Sequence, residues 1–97
     1  MIILHVTYQA KDETAAARFY TELETLSVLA QTRAEPGCVH YEMFSPKEDA
    51  SKIFLLEIWA DAAAQQEHKT TPAFFALQEQ KAKFILNTYV KQYSSLS

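Results

Sequence analysis

A few side chains in this 97-residue sequence have chemistry to offer, and His68 comes first. It stands at the end of an alanine-rich stretch, just before the polar run Lys69-Thr70-Thr71. An imidazole titrates near neutral pH, so it can take a phenolic proton or hold a substrate oxygen. A helix-terminal histidine can also simply bond the last carbonyls of its helix. Glu57 is the odd residue in the apolar run Ile53–Trp59. A carboxylate in such surroundings must be paired or protonated, and serves as base, as substrate anchor, or as the partner of a backbone N–H or of Arg33. Trp59, on the same face as Glu57, offers a flat apolar wall with an indole donor, or plain core. Tyr41 can present a hydroxyl to a pocket, and Phe74 a further wall; both types also serve as core. His5 and Thr7 share one face of the first segment and are further candidates for substrate contact, although a lone strand histidine is more often a satisfied core or interface group.

Other chemistries are disfavoured. His5, His40 and His68 are too dispersed to argue for zinc, so no metal is expected. No Ser–His–Asp arrangement can be read, and a chain with a single glycine, Gly37, has no nucleotide fingerprint. Cys38, the only cysteine, reads as a small buried hydrophobe and cannot form an internal disulfide. The net charge is −3 and the basic residues are scattered, which argues against nucleic acid. No apolar run approaches a membrane span, and the start lacks the layout of a signal peptide. A reducing cytoplasm fits these features.

The elements that must position the candidates follow from periodicity. Met1 to Tyr8 alternates, with Ile2, Leu4, Val6 and Tyr8 on one face and Ile3, His5 and Thr7 on the other, which predicts a strand. Asp12 caps a helix in which Ala15, Phe19, Leu23, Leu26 and Ala30 form one stripe to about Ala34. Glu35-Pro36-Gly37 ends it. Cys38–Phe44 and Ile53–Trp59 are strands separated by the polar turn Ser45–Asp49. Asp61 caps a short helix ending near His68, and Thr71-Pro72 starts another carrying Phe74, Leu77 and Phe84. A last strand runs from about Ile85 to Tyr93, ahead of a flexible polar tail at 94–97. One domain is expected, of α+β class. The order β-α-β-β-α-α-β is a ferredoxin-like plan with a four-stranded antiparallel sheet. Both faces of Ile53–Trp59 are mainly apolar, so both should be buried. Helices cover only one face of such a sheet, which makes a second subunit the simplest cover for the other.

Three segments carry a resemblance: Glu35-Pro36-Gly37-Cys38-Val39-His40-Tyr41, Phe54-Leu55-Leu56-Glu57-Ile58-Trp59 and His68-Lys69-Thr70-Thr71-Pro72. In this order and spacing the chain resembles the antibiotic-biosynthesis-monooxygenase family, from Met1 to about Tyr93. The resemblance implies a dimeric α+β barrel with a small pocket between sheet and helices in each subunit. It also implies oxidation of phenolic or quinol substrates by O₂ without a cofactor. Other members degrade haem, and one relative processes the phosphorylated autoinducer-2 signal. Haem is disfavoured here, because Thr7 and about Gln78 stand where that branch has an asparagine and a histidine. Ala73 replaces a second histidine that often follows the proline.

The function expected is therefore a cofactor-independent monooxygenase acting on a small aromatic. His68 would be the base, helped by Glu57, and Trp59, Tyr41, His5, Thr7 and Phe74 would contact substrate. The alternatives are an isomerase or degrading enzyme for a small oxygenated metabolite, or a ligand-binding dimer without activity.

Overall fold

The computed structural model describes residues 1–94, so the expected tail lies outside the described residues apart from Ser94, which closes the last strand. The chain runs β1 (Ile2–Ala10), α1 (Glu13–Thr25), α2 (Val28–Arg33), β2 (Cys38–Phe44), β3 (Lys52–Trp59), α3 (Ala62–His68), α4 (Pro72–Phe84) and β4 (Ile85–Ser94). The strands form one antiparallel sheet in the order β2-β3-β1-β4. This is the α+β, ferredoxin-like architecture the sequence implied. No helix among the described residues is long and apolar enough to cross a membrane.

α1, α3 and α4 start at side-chain caps, whereas α2 does not. Asp12 accepts from the Ala15 amide at 2.7 Å and Asp61 from that of Ala64 at 2.8 Å. Thr71 does the same for Phe74 at 3.2 Å, with Pro72 in the first turn. Each cap satisfies an amide that the helix itself leaves unpaired.

The single helix expected over 13–34 is broken. Ser27 adopts a left-handed backbone with φ 58°, separating α1 from α2. The reason lies in the apolar spacing. Ala16, Phe19 and Leu23 are buried along α1, and the next buried residues are Val28, Leu29 and Thr32. In a continuous helix those three would point away from the Phe19–Leu23 stripe, since each residue adds about 100° of rotation. The turn at Ser27, which costs roughly 1–2 kcal/mol, re-aims them into the core. Leu26, expected inside, is instead 43% exposed.

The helices cover one face of the sheet. Leu4, Val6 and Tyr8 of β1 meet Ile53, Leu55, Glu57 and Trp59 of β3 there, under Phe19, Leu23 and Leu77. On the other face Phe54, Leu56 and Ile58 are only half-buried in one chain. Within one chain, as expected, the helices bury only one face of β3, and none crosses to the far side.

Gly37 is required on two counts. Its φ is +86°, and a Cβ built there would stand 2.5 Å from the Ala64 Cβ of α3. Its carbonyl also accepts from the Ala60 amide at 2.8 Å, tying the start of β2 to the end of β3. Gly37→Ala should therefore destabilise the fold by about 2–4 kcal/mol in urea unfolding, summing left-handed strain and overpacking. Ala64→Gly, which alone costs about 1 kcal/mol, should cost less or become favourable in the Gly37→Ala background. Simple additivity of the two changes would show that the contact does not govern this corner.

Candidate functional site

His68 is the last residue of α3 and is only 4% exposed. Its ring is tilted 30° to that of Trp59, with centroids 4.6 Å apart, and meets Phe74 edge-on at 5.3 Å. Nδ1 lies 3.1 and 3.0 Å from the two carboxylate oxygens of Glu35. A carboxylate only accepts, so Nδ1 carries the proton and donates, leaving Nε2 with a lone pair when the ring is neutral. Nε2 has no hydrogen-bond partner among the described residues. The histidine is therefore not spent on the carbonyls of its own helix; Thr71 bonds the His68 carbonyl instead, through its hydroxyl at 2.9 Å.

Glu57 points to the helix side of β3 and is 9% exposed. Its Oε1 accepts from the Trp59 indole N–H at 3.0 Å. Burial pushes its carboxyl above the ordinary glutamate value, while the indole bond and the charges of His68, Lys69 and Lys81 hold it partly down. Arg33, the other partner considered, is engaged elsewhere: its Nε donates to the Tyr41 carbonyl at 2.7 Å.

These groups border a cavity of about 300 Å³ between the sheet and the α3–α4 pair. Leu4, Val6 and Tyr8 form its floor, and Phe74 and Leu77 its other apolar wall. The size is at the small end of ligand pockets. Of the residues singled out from sequence, His68, Glu57 and Phe74 line this cavity together. Trp59 is fully buried and stands behind His68, orienting Glu57 rather than walling the pocket. Tyr41 also lies behind, with its ring 6.0 Å from that of His68 and its buried hydroxyl lacking a partner among the described residues. His5 and Thr7 do not join the cavity. They alternate with Leu4 and Val6 and so project from the opposite face, where His5 packs on Phe54 at 5.5 Å and Tyr93 at 4.9 Å. Cys38 is half-buried, and burial followed by the Glu35 and Glu57 charges pushes its thiol up, away from nucleophilic use.

Sequence reasoning missed two contributors. Glu35 reads in the sequence as part of a turn, yet it reaches His68 across 33 positions, a separation no local pattern reveals. Lys81 was one scattered base among many, yet it lines the cavity with its ammonium over the Tyr8 ring at 5.2 Å. A helix-face plot placing Lys81 one turn beyond the buried Leu77 was the available signal.

The sequence model of the antibiotic biosynthesis monooxygenase family matches residues 1–80. The chain belongs to that family. A protein of Pseudomonas aeruginosa superposes with a TM-score of 0.86 at 26% identity, covering 99% of this chain and 94% of that one. A structure from Nitrosomonas europaea, described as a candidate antibiotic biosynthesis monooxygenase, gives 0.88 at 18% identity with 100% of both chains covered. At that identity the likeness concerns the fold alone. An uncharacterised protein of Synechocystis is 31% identical over 61 residues, which are 58% of this chain and 42% of that protein. The chain thus matches less than half the length of that relative.

The raised Glu57 carboxyl has a consequence for stability. The folded state holds this proton to higher pH than the unfolded chain, so Glu57 lowers stability as pH rises from the ordinary glutamate range through its folded value. Glu57→Gln, which mimics the protonated acid, should gain on wild type in urea unfolding as pH goes from about 4 to 8. Parallel pH profiles for the two proteins would refute the desolvated carboxyl.

Proposed function

We propose that this member of the family is a cofactor-independent monooxygenase for a small aromatic or quinol-type substrate. The observation that carries the reading is the Glu35–His68 pair: an imidazole bordering an apolar cavity, with Nδ1 held by a carboxylate and Nε2 unengaged. Such a pair can take a phenolic proton at Nε2 while Glu35 steadies the imidazolium that forms. The quinol anion then passes one electron to O₂, and the two radicals combine to a carbon-bound peroxide. Loss of water leaves a hydroxyquinone, so quinol plus O₂ gives hydroxyquinone plus water. The chain's part is orientation, proton transfer and exclusion of bulk water by the walls around Leu4, Phe74 and Leu77.

The uncovered sheet face supports a homodimer in which two such sheets pack together. Phe54, Leu56 and Ile58 are half-buried there, beside Tyr89 and Tyr93 at 59% and 45% exposed. An apolar face of this kind on a small domain calls for a partner, and a second copy offers a matching surface. The single half-buried thiol, Cys38, suits a reducing cytoplasm.

Two measurements follow. Oxygen uptake with a panel of hydroquinones and anthrones should fall about 100-fold or more in His68→Ala and by roughly 10- to 100-fold in Glu35→Gln. Full activity in His68→Ala, or no uptake with any member of the panel, would sink the oxygenase reading. Conversion that continues without oxygen would point to an isomerase, and ligand recovered unchanged to a binding protein. In sedimentation at micromolar concentration the wild type should run as a dimer and Leu56→Lys as a folded monomer. A monomeric wild type would remove the dimer.

A further inference from the structure

α4 runs along the length of the cavity. Phe74, in its first turn, lies against the His68 ring, and Lys81 lines the same cavity about two helical turns further on. Two turns rise roughly 10 Å, and helical side chains lean back toward the helix N-terminus. The Lys81 ammonium therefore stands from His68 by a distance on the order of one substituted aromatic ring.

The far end of the cavity is suited to an anion. Lys81 is half-buried and forms no ion pair with any carboxylate among the described residues. Its ammonium rests over Tyr8, and burial lowers it from the ordinary lysine value, against the pull of Glu57. A desolvated cation held only by a ring face has unused bonding capacity. Two neutral polar groups stand beside it. Gln78 precedes Lys81 by one turn on α4, and Thr88 sits opposite Tyr8 in the β1–β4 ladder; both line the cavity. Glu57 lies toward the His68 end, opposite Leu4 in the ladder with β1, and is already bonded by Trp59.

We propose that the cavity takes an aromatic carboxylate, with its carboxylate on Lys81 beside Thr88 and Gln78 and its hydroxyl end at His68. The proposal rests on the cavity being the active site and narrows its substrates from quinols in general to acidic ones. The walls hold the ring, Lys81 supplies the charge-assisted bond, and the substrate is thereby presented one way round.

The test is calorimetric titration under argon with 2,5-dihydroxybenzoate and its neutral counterpart, 2,5-dihydroxybenzamide. Wild type should bind the acid about tenfold or more tightly than the amide. Lys81→Met should abolish that preference, and Lys81→Arg should keep it; Lys81→Gln replaces Lys81→Met if the latter fails to melt cooperatively. Lys47, exposed in the turn between β2 and β3 and outside the cavity, changed to Met, should leave the preference in place. Equal binding of acid and amide, no binding of the acid, or a preference that survives loss of the Lys81 charge would overturn the proposal. The binding is read without oxygen, so the two readings fail separately. Acid preference without oxygen uptake leaves the subsite and removes the oxygenase, and uptake with neutral quinols but no acid preference does the reverse.

Discussion

The approach of Gly37 to Ala64 is the contact on which the site depends. With no side chain at Gly37, α3 can settle against the corner that begins β2, and the Ala60 amide closes onto the Gly37 carbonyl. That seating brings the end of α3 to the residue just before Pro36, and so brings His68 to Glu35. A larger residue at either position would lift α3 away, and the two groups would part although neither had changed. The site is thus determined by backbone proximity before any polar interaction enters. The hydrogen bond between them is a consequence of that proximity, and Trp59 and Phe74 then fix the ring plane by packing on it.

Much of this was legible in the sequence, where the signal was local. The alternation of Met1–Tyr8, the caps Asp12, Asp61 and Thr71, and the break at Glu35-Pro36-Gly37 each encode an element through near neighbours, and each element is present. The same alternation separates His5 and Thr7 from Leu4 and Val6 by parity, so the two pairs cannot share a cavity. The helix over 13–34 looked continuous because Ala15, Phe19, Leu23, Leu26 and Ala30 repeat with helical spacing. The competing set Val28, Leu29 and Thr32 needs a backbone turn to reach the core, and nothing in the residue type of Ser27 announces a left-handed conformation. Glu35 was illegible for another reason: its role arises from two corners of the fold meeting, and pairs that distant leave no periodicity in one sequence.

The charges around the cavity make sense as a set. Glu57, sunk into the sheet, is driven toward its neutral form by burial and restrained by the Trp59 bond. Glu35, which is not among the residues lining the cavity, is instead bonded to His68 Nδ1. One carboxyl thus supports the imidazole and the other is shifted toward its acid form by burial, a division set by surroundings and partner rather than by residue type. Lys81 completes the set at the opposite end, where its positive charge favours ionisation of Glu57 while its own desolvation opposes it. An anion bound at that end would weaken the Lys81 pull on Glu57 and leave its carboxyl closer to neutral, so ligand binding would be linked to proton affinity in the cavity through Lys81.

One sheet serves two demands because strands alternate. Residues of β1 and β3 that face the helices build the cavity floor and carry Glu57, while their immediate neighbours in sequence build the far face with Phe54, Leu56 and Ile58. A change on one face therefore need not disturb the other, and the two faces can answer to different partners. The coupling that remains runs through the backbone. The strand that aims Glu57 at the cavity also aims Leu56 away from it, so covering the far face stiffens the platform from which Glu57 and Trp59 hold the site. A domain of this size has little hydrophobic stability to spare. Covering the second face would therefore add stability directly beneath the elements that position His68, without placing any group of the cover in the cavity itself.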